Sequence, residues 1–158
     1  MRLSDVLIAS SIRVGLDAPD KESVLRALAQ LLAQTRPEST EEALLDALQE
    51  RERTATTGVG SGIALPNAWL DVAAASVAMV ISPIGLPFDT LDGAPVHIAI
   101  AIVSPKSSAA EHVKLLVRAT RVLSDQAFCA RLRGAESEAD ALEIWAHEER
   151  RHGAKEGC

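Results

Sequence analysis

The sequence predicts an α/β fold in which a single mixed β-sheet of about five strands is sandwiched by helices on both faces. Two observations lead to this prediction. Apolar segments with the period of a strand and others with the period of a helix occur in mixed order along the chain. Hydrophobic residues make up 47% of the 158 residues but aromatic residues only 3%, so the core is expected to be aliphatic, as suits helices packed on a sheet. A chain of this length is expected to bury such a core as one domain.

The first half of the chain predicts one strand, two helices and a loop. Apolar residues alternate with polar or small ones at 12–16, which indicates a short strand, and they recur at helical spacing at 24–32. Ser39 followed by Glu42 is typical of a capping box, with Ser39 as the cap of a second helix that carries a leucine stripe. The three glycines within 58–62 exclude a regular helix or central strand and predict an exposed loop.

The second half of the chain predicts the rest of the sheet and three more helices. Extended segments are expected at residues 63–65, 73–81, 88–93 and 96–103. The last of these is near-continuously apolar, which is typical of a central strand buried on both faces. Helices are expected at residues 113–123, 126–133 and 137–149. We therefore predict one domain over residues 1–149 and a polar, disordered tail over 150–158.

Composition excludes several classes of function. The net charge of −6 and the pI near 5.2 disfavour electrostatic binding to nucleic acid. No apolar run reaches the roughly 18 residues of a membrane span, and the N-terminus lacks the apolar region of a signal peptide, so we expect a cytoplasmic protein without membrane insertion. Cys129 and Cys158 have no metal-binding spacing and are expected to be free thiols, and we predict no metal or cofactor.

The glycine-rich loop admits two interpretations. Glycines allow a tight chain reversal, and they also let bare backbone N–H groups approach an anion such as phosphate. No Lys-Ser/Thr pair follows the loop, which excludes a Walker A motif, and the Gly-x-Gly-x-Gly spacing without a following helix does not match the dinucleotide fingerprint. The loop alone therefore leaves a structural role and anion binding both open.

The motifs around this loop occur in a recognisable order. Arg51 precedes the run Thr-Gly-Val-Gly-Ser-Gly-Ile-Ala-Leu-Pro at 57–66, which Asn67 follows. Leu-Asp-Gly-Ala-Pro-Val at 91–96 comes next, and His112 follows a glutamate later in the chain. Together these motifs resemble the active-site signature of enzyme IIA domains of the fructose–mannitol class of the phosphoenolpyruvate-dependent phosphotransferase system. The resemblance covers nearly the whole chain, which looks most like the free-standing nitrogen-regulatory branch, whose members act as signalling phosphocarriers.

The resemblance implies a role for each residue of the site. In the family the residue after the proline is a histidine that carries the phosphoryl group, whereas this chain has Asn67 there. His112 matches a second histidine that assists the first, and Arg51 would stabilise the phosphoryl oxygens. Loop N–H groups would also contribute, at Thr57, Gly58, Gly60, Ser61 and Gly62. Trp69 either anchors a partner or covers the loop, and we favour the second interpretation.

The asparagine decides between the functions that the resemblance allows. An amide nitrogen is a poor nucleophile because its lone pair is delocalised into the carbonyl group. We therefore expect a regulatory protein that cannot accept phosphate at Asn67 and is inactive as a phosphotransferase. The alternative is a working phosphocarrier, if Asn67 is an engineered substitution or if His112 accepts the phosphoryl group. A small-anion sensor that uses the glycine-rich loop is the third hypothesis.

The resemblance also implies partners that bind around position 67. These are the histidine phosphocarrier of the relay and a regulated protein such as a kinase or a transporter. Enzyme IIA surfaces of this kind also pair weakly, which implies a weak homodimer.

Overall fold

The computed structural model describes residues 2–36 and 38–156 of the chain. Its strands are β1 (Ile12–Val14), β2 (Gly58–Gly60), β3 (Ile63–Ala64), β4 (Asn67–Leu70), β5 (Ser76–Leu86) and β6 (Val96–Pro105). Its α-helices are α1 (Lys21–Thr35), α2 (Glu41–Thr54), α3 (Ala109–Leu123), α4 (Gln126–Arg133) and α5 (Glu138–Glu156), and short 3-10 turns precede β1 at Leu3–Asp5 and Ala9–Ser11. None of these helices is long and apolar enough to cross a membrane. Cys129 is a buried free thiol, and Cys158 lies outside the described residues.

The described strands form one mixed sheet with the order β1-β5-β6-β3-β2. β6 runs antiparallel to β5 and parallel to both β3 and β4. β3 and β4 follow one another along the same edge of β6, because Ile63 is paired with Ile98 and Asn67 with Ile102. The predicted α/β class is confirmed, with six strands in the described residues, one more than expected.

Helices cover both faces of this sheet, as predicted. Side chains alternate along β6, so Ile98 and Ile100 pack in a cluster with α3, α4 and α5. Ala99 and Ala101 point the other way and pack in a second cluster with α1 and α2. All four side chains are fully buried. This confirms β6 as a central strand that is buried on both faces.

The start of α2 differs from the prediction. Thr40 is the N-cap, and its hydroxyl oxygen accepts a hydrogen bond from the Ala43 amide at 3.1 Å. The predicted cap, Ser39, was therefore wrong by one residue. The helix begins with two carboxylates in its first turn and ends with two arginines in its last turn, and both features complement the helix dipole. One of these arginines is Arg51, so the end of α2 positions a residue of the predicted site.

Two short strands lie where the sequence predicted none. β2 lies within the glycine-rich loop and pairs with β3, so this loop is part of a β-hairpin. The extended segment expected at 88–93 is not a full strand, since it contributes only an isolated bridge from Thr90 to Gly58. β4 begins at Asn67, directly after Pro66, and continues along β6. β2 is part of the glycine-rich run and β4 has no alternation of apolar and polar residues, so a hydrophobic period identifies neither strand.

The last helix continues to Glu156 and does not end near residue 149 as expected. Glu148 is buried, and its carboxylate forms ion pairs with Arg131 at 3.2 Å and with Arg151 at 3.0 Å. Arg151 lies three residues after Glu148, on the same side of the helix. This pair therefore favours helical structure in part of the segment that was expected to be a disordered tail.

Candidate functional site

The pairing of β4 with β6 brings polar and aromatic side chains together. Asn67 is paired with Ile102 and Trp69 with Ser104, and paired residues in neighbouring strands point to the same face of a sheet. Ile102 packs in the cluster that contains α3, so its neighbours on that face also point towards α3. The first turn of α3 supplies His112, which contacts the side chains of Asn67, Trp69 and Ser104.

Hydrogen bonds hold the Asn67 amide on both sides. Its Nδ2 donates to the Leu65 carbonyl oxygen at 2.9 Å, and its Oδ1 lies 3.1 Å from His112 Nε2. A carbonyl oxygen can only accept a hydrogen bond, so the Leu65 contact fixes which end of the amide is the nitrogen. The other end is then an acceptor. His112 Nε2 must therefore carry a proton and donate it towards the amide oxygen.

A buried serine holds the other side of the His112 ring, whose Nδ1 lies 2.8 Å from Ser104 Oγ. Burial lowers the pKa of His112 below its ordinary value, and the positive charge of Arg51 lowers it further. In the neutral ring that results, Nε2 bears the proton and Nδ1 accepts a hydrogen bond from the Ser104 hydroxyl. Both ring nitrogens of His112 are therefore occupied within the site.

A cavity of about 680 Å³ lies beside this cluster, between the end of α2 and the start of α3. Its polar lining consists of Glu50, Arg51, Thr54, Asn67, Lys106 and His112. Arg51 and Lys106 supply two permanent positive charges, against one carboxylate from Glu50. The structure thus brings together the three residues that the resemblance assigned to the reaction centre, in a cavity whose charge suits an anionic group.

Trp69 forms an apolar wall of the same cavity. Its ring centroid lies 4.9 Å from that of His112, with an interplanar angle of 46°, and 48% of the residue is exposed. The expectation that Trp69 covers the glycine-rich loop was therefore wrong, because Trp69 packs on His112. Val113, which also lines the cavity, is exposed. Val117 is exposed as well and lies one helical turn further along the same stripe of α3.

The glycine-rich loop does not line this cavity. The five residues assigned to phosphate binding all lie in or next to the β2–β3 hairpin: Thr57, Gly58, Gly60, Ser61 and Gly62. The Gly58 amide donates to Thr56 Oγ1 at 3.1 Å, and the Ser61 amide donates to the Asp92 carboxylate at 2.8 Å. Amides that already have partners do not offer an open anion site. The geometry therefore gives no support to a phosphate-binding loop or to a sensor built on it.

Glu52 connects this hairpin to the end of α2. Its buried carboxylate accepts hydrogen bonds from the Thr57 amide at 2.8 Å and from the Thr57 hydroxyl at 2.5 Å. It also forms an ion pair with Lys21 at 2.9 Å. Since Glu52 adjoins Arg51, these bonds fix the helix end that carries the cavity arginine. The adjacent pair Arg51 and Glu52 therefore combines a cavity residue with a structural one.

Four polar residues of the site were not found by sequence reasoning: Glu50, Thr54, Ser104 and Lys106. Ser104 ends the apolar run of β6, and Lys106 follows in the next turn. A polar residue at the end of a buried strand is a signal in the sequence, but its partner depends on how α3 packs beside the end of β6. That packing brings Ser104 within reach of His112 and was not available from either segment alone.

Comparison with known proteins identifies the class to which this fold and site belong. The family described as "Phosphoenolpyruvate-dependent sugar phosphotransferase system, EIIA 2" matches residues 5–148, and the chain belongs to this family. The chain is similar to the nitrogen regulatory protein of Pseudomonas aeruginosa, with 32% identity over 145 residues that cover 90% of this chain and 92% of that protein. The PTS system fructose-specific EIIA component of Haloferax volcanii is 33% identical over 136 residues, which cover 84% of this chain and 88% of that protein.

Solved structures share the same fold. The nitrogen regulatory protein IIA-Ntr from Neisseria meningitidis superposes with a TM-score of 0.83 at 23% identity, covering 90% of this chain and 98% of that structure. IIA mannitol from Escherichia coli superposes with a TM-score of 0.72 at 25% identity, covering 88% of this chain and 98% of that structure. The resemblance to nitrogen-regulatory and fructose–mannitol enzyme IIA proteins is thereby confirmed.

Proposed function

We propose that the chain is a regulatory enzyme IIA homologue of the nitrogen-regulatory type that cannot accept a phosphoryl group at position 67. Relatives named nitrogen regulatory proteins support the regulatory part of this proposal. The observation that carries the rest is the Asn67 amide, which directly follows Pro66, where the family resemblance expects the acceptor histidine. This amide is hydrogen-bonded at both ends. The site keeps its architecture but lacks a nucleophile.

The chemistry of the amide supports this conclusion. Phosphoryl transfer needs a positioned nucleophile with an available lone pair. The lone pair of Asn67 Nδ2 is delocalised into the carbonyl group, and its N–H donates to the Leu65 carbonyl oxygen. The amide oxygen accepts the hydrogen bond of His112 Nε2. Neither end of the side chain is therefore prepared to attack phosphorus.

His112 is a poor substitute acceptor for the same geometric reason. Its Nε2 carries a proton that points at Asn67, and its Nδ1 is engaged by Ser104. His112 is only 1% exposed, and Trp69 packs against its ring. An attack by either nitrogen would require the ring to give up one of its hydrogen bonds and to move towards the cavity. This disfavours the alternative in which His112 takes over the phosphoryl group.

The chain would then present one permanent state to its partners. A solved structure of a related protein is a complex of enzyme IIA mannitol with phosphorylated enzyme IIB mannitol from Escherichia coli. By analogy, we propose that the histidine phosphocarrier of a cytoplasmic relay binds around Asn67. A regulated protein such as a kinase or a transporter would bind there too. Because the chain is not phosphorylated, its binding to the regulated partner would not switch with the state of the relay.

A reconstituted relay tests this function. The protein is incubated with phosphoenolpyruvate, the first enzyme of the relay and its phosphocarrier, and acid-labile phosphate is followed by intact mass. We expect no phosphate on the parent protein, uptake by the Asn67→His variant, and none on the matched Asn67→Ala variant, which removes the amide without supplying a nucleophile. Phosphate on the parent protein would refute the proposal, and an added His112→Ala change would show whether that histidine is the acceptor.

A further inference from the structure

We propose that a second cavity, at the other end of α3 from His112, binds a short aliphatic hydroxy acid. The carboxylate of this ligand would pair with Arg133, its hydroxyl group would donate to His97, and its apolar chain would lie between the β2–β3 hairpin and α3. No covalent bond is made or broken. The site is separate from the cavity beside Asn67, and the proposal does not depend on whether position 67 accepts phosphate.

The second cavity has a volume of about 230 Å³. Its walls come from the β2–β3 hairpin, the start of β6, the end of α3 and one side of α4. Ile98 in this wall lies four residues before Ile102, the partner of Asn67, which is about 13 Å along the strand. Since one water takes roughly 30 Å³ of liquid volume, the cavity has room for about eight waters. It is therefore large enough for a small organic molecule.

In the described part of the chain, one permanent cation and no carboxylate line this cavity. The cation is Arg133, which forms no hydrogen bond or ion pair with any residue that the structure describes. Burial raises the pKa of the Cys129 thiol in the cavity wall, and the positive charge of Arg133 acts against this increase. The carboxylate of Asp125 also acts on Cys129, but it is engaged as the N-cap of α4. A free guanidinium of this kind suits a carboxylate, which it can bind through two parallel hydrogen bonds.

His97 supplies the cavity with a hydrogen-bond acceptor. Its Nδ1 lies 2.8 Å from the Ser82 carbonyl oxygen, which can only accept, so Nδ1 carries the proton of the neutral ring and Nε2 keeps a lone pair. Nε2 has no hydrogen-bond partner among the described residues, and it is not among the fully buried atoms. A ligand hydroxyl group could donate to it. A ligand ammonium group would meet no carboxylate in the lining, which favours a hydroxy acid over an amino acid.

An apolar chamber of about 250 Å³ adjoins the cavity, between the β2–β3 hairpin and α3. The two spaces share four residues: Ser61, Ile63, Leu123 and Ser124. The rest of the chamber's lining carries no charge: Val59, Gly60, Leu65 and Thr120. Each methylene group buried there would strengthen binding about fourfold. A cation beside an apolar chamber points to an acid with an aliphatic chain and not to an inorganic anion.

Titration of the parent protein with β-hydroxyhexanoate, followed by amide NMR spectra, tests the proposal. We expect a Kd of about 1 mM or tighter, with chemical-shift changes centred on the amides of Gly62, Ser124 and Arg133. Hexanoate lacks the hydroxyl donor and should bind about fivefold more weakly, as the loss of one neutral hydrogen bond gives. β-Hydroxypropanoate lacks the apolar chain and should bind at least about tenfold more weakly.

Charge variants make the test specific to this cavity. Arg133→Gln is expected to weaken the binding of β-hydroxyhexanoate at least about tenfold, because it removes charge-assisted hydrogen bonds. Arg133 is exposed, so the variant is expected to fold, and an amide spectrum like that of the parent protein checks this. Arg51→Gln is the matched control, since it makes the same change in the cavity beside Asn67, and it should leave the affinity unchanged.

Four outcomes would overturn the proposal. The first is the absence of chemical-shift changes at ten times the expected Kd. The second is weaker binding in Arg51→Gln, because the acid would then occupy the cavity beside Asn67. The third is equal affinity for inorganic phosphate, which would indicate a site for small anions. The fourth is equal affinity for hexanoate, which would show that the ligand makes no hydroxyl contact with His97. None of these outcomes bears on phosphoryl transfer at position 67.

Discussion

The chemistry of the site is set by a hydrogen-bond chain of four residues, from Ser104 through His112 and Asn67 to the Leu65 carbonyl oxygen. The carbonyl oxygen can only accept, so it fixes the direction of every bond back to the serine hydroxyl. In an Asn67→His variant, the same carbonyl could accept from ring Nδ1–H, which would leave the lone pair on Nε2. This is the physical reason to expect that a single substitution restores an acceptor.

At the scale of single residues, Arg51 is predicted to contribute to the lowered pKa of His112. The Arg51→Gln variant should raise the pKa of His112, because it removes a nearby positive charge that disfavours the imidazolium ion. The pKa should still lie below its ordinary value, since burial, the larger cause, remains. An NMR titration of the ring measures this, with Arg53→Gln as a control that should leave it unchanged. An unchanged or lowered pKa in Arg51→Gln would show that the charge of Arg51 does not act on His112.

The same residue makes stability depend on pH. The folded chain holds His112 at a lowered pKa, so the unfolded chain takes up the proton first as the pH falls through about 6.5. The neutral ring therefore contributes its full stabilisation of the folded state above that pH, and this contribution declines below it. Urea denaturation of the parent protein and of His112→Gln should show a difference in stability that shrinks on acidification. A difference that grows instead would show that the imidazolium ion is the favoured form.

At the scale of elements, the register between β4 and β6 builds the site. All five helices and the strands β1, β5 and β6 could be predicted from hydrophobic periods and turn residues, and β3 from the apolar residues between the glycine-rich loop and Pro66. β2 and β4 could not, because their pairing partners define them. The motif order predicted Arg51, Asn67 and His112, whereas the roles of Ser104 and Lys106 depend on how α3 packs beside the end of β6.

The β2–β3 hairpin is predicted to need glycine at its first strand position for space. A Cβ atom at Gly58 would lie 2.2 Å from the Asp89 carbonyl oxygen, closer than any real contact. Gly58→Ala should therefore destabilise the fold by about 1–3 kcal/mol through overpacking. Gly134→Ala is the control, since its nearest contact would be an ordinary 3.5 Å. Chemical denaturation compares the two variants, and equal stability would show that the hairpin adapts at no cost.

The carboxylate of Glu149 is predicted to anchor the first turn of the chain to α5. It accepts hydrogen bonds from the Leu3 amide at 3.0 Å, the Ser4 amide at 2.7 Å and Trp145 Nε1 at 2.7 Å. Glu149→Ala leaves these donors without their partner and should lower the free energy of unfolding by about 1–3 kcal/mol.

The exposed Glu143 on the same helix provides the comparison for this prediction. Glu143→Ala should change the free energy of unfolding by less than about 0.5 kcal/mol. Thermal or urea denaturation of both variants measures the difference. Similar small effects in the two would mean that the N-terminal turn contributes little to the fold.

At the scale of the whole molecule, the site joins the two sides of the sheet. α2 packs in the cluster on one face and α3 in the cluster on the other, and the cavity lies where both reach β4. Arg51, Asn67 and His112 are distant in sequence and meet only when both layers are in place. Membership of the enzyme IIA family explains this architecture. Asn67 stands where the family resemblance expects the acceptor histidine, and it is the reason to expect different chemistry at the site.

Whether position 67 is chemically silent is tested most directly by the phosphate content of the parent protein in a relay supplied with phosphoenolpyruvate, measured when the Asn67→His variant is fully phosphorylated. We expect no acid-labile phosphate on the parent protein under those conditions. Acid-labile phosphate on the parent protein, mapped by peptide mass to Asn67 or to His112, would show that the site still accepts the phosphoryl group.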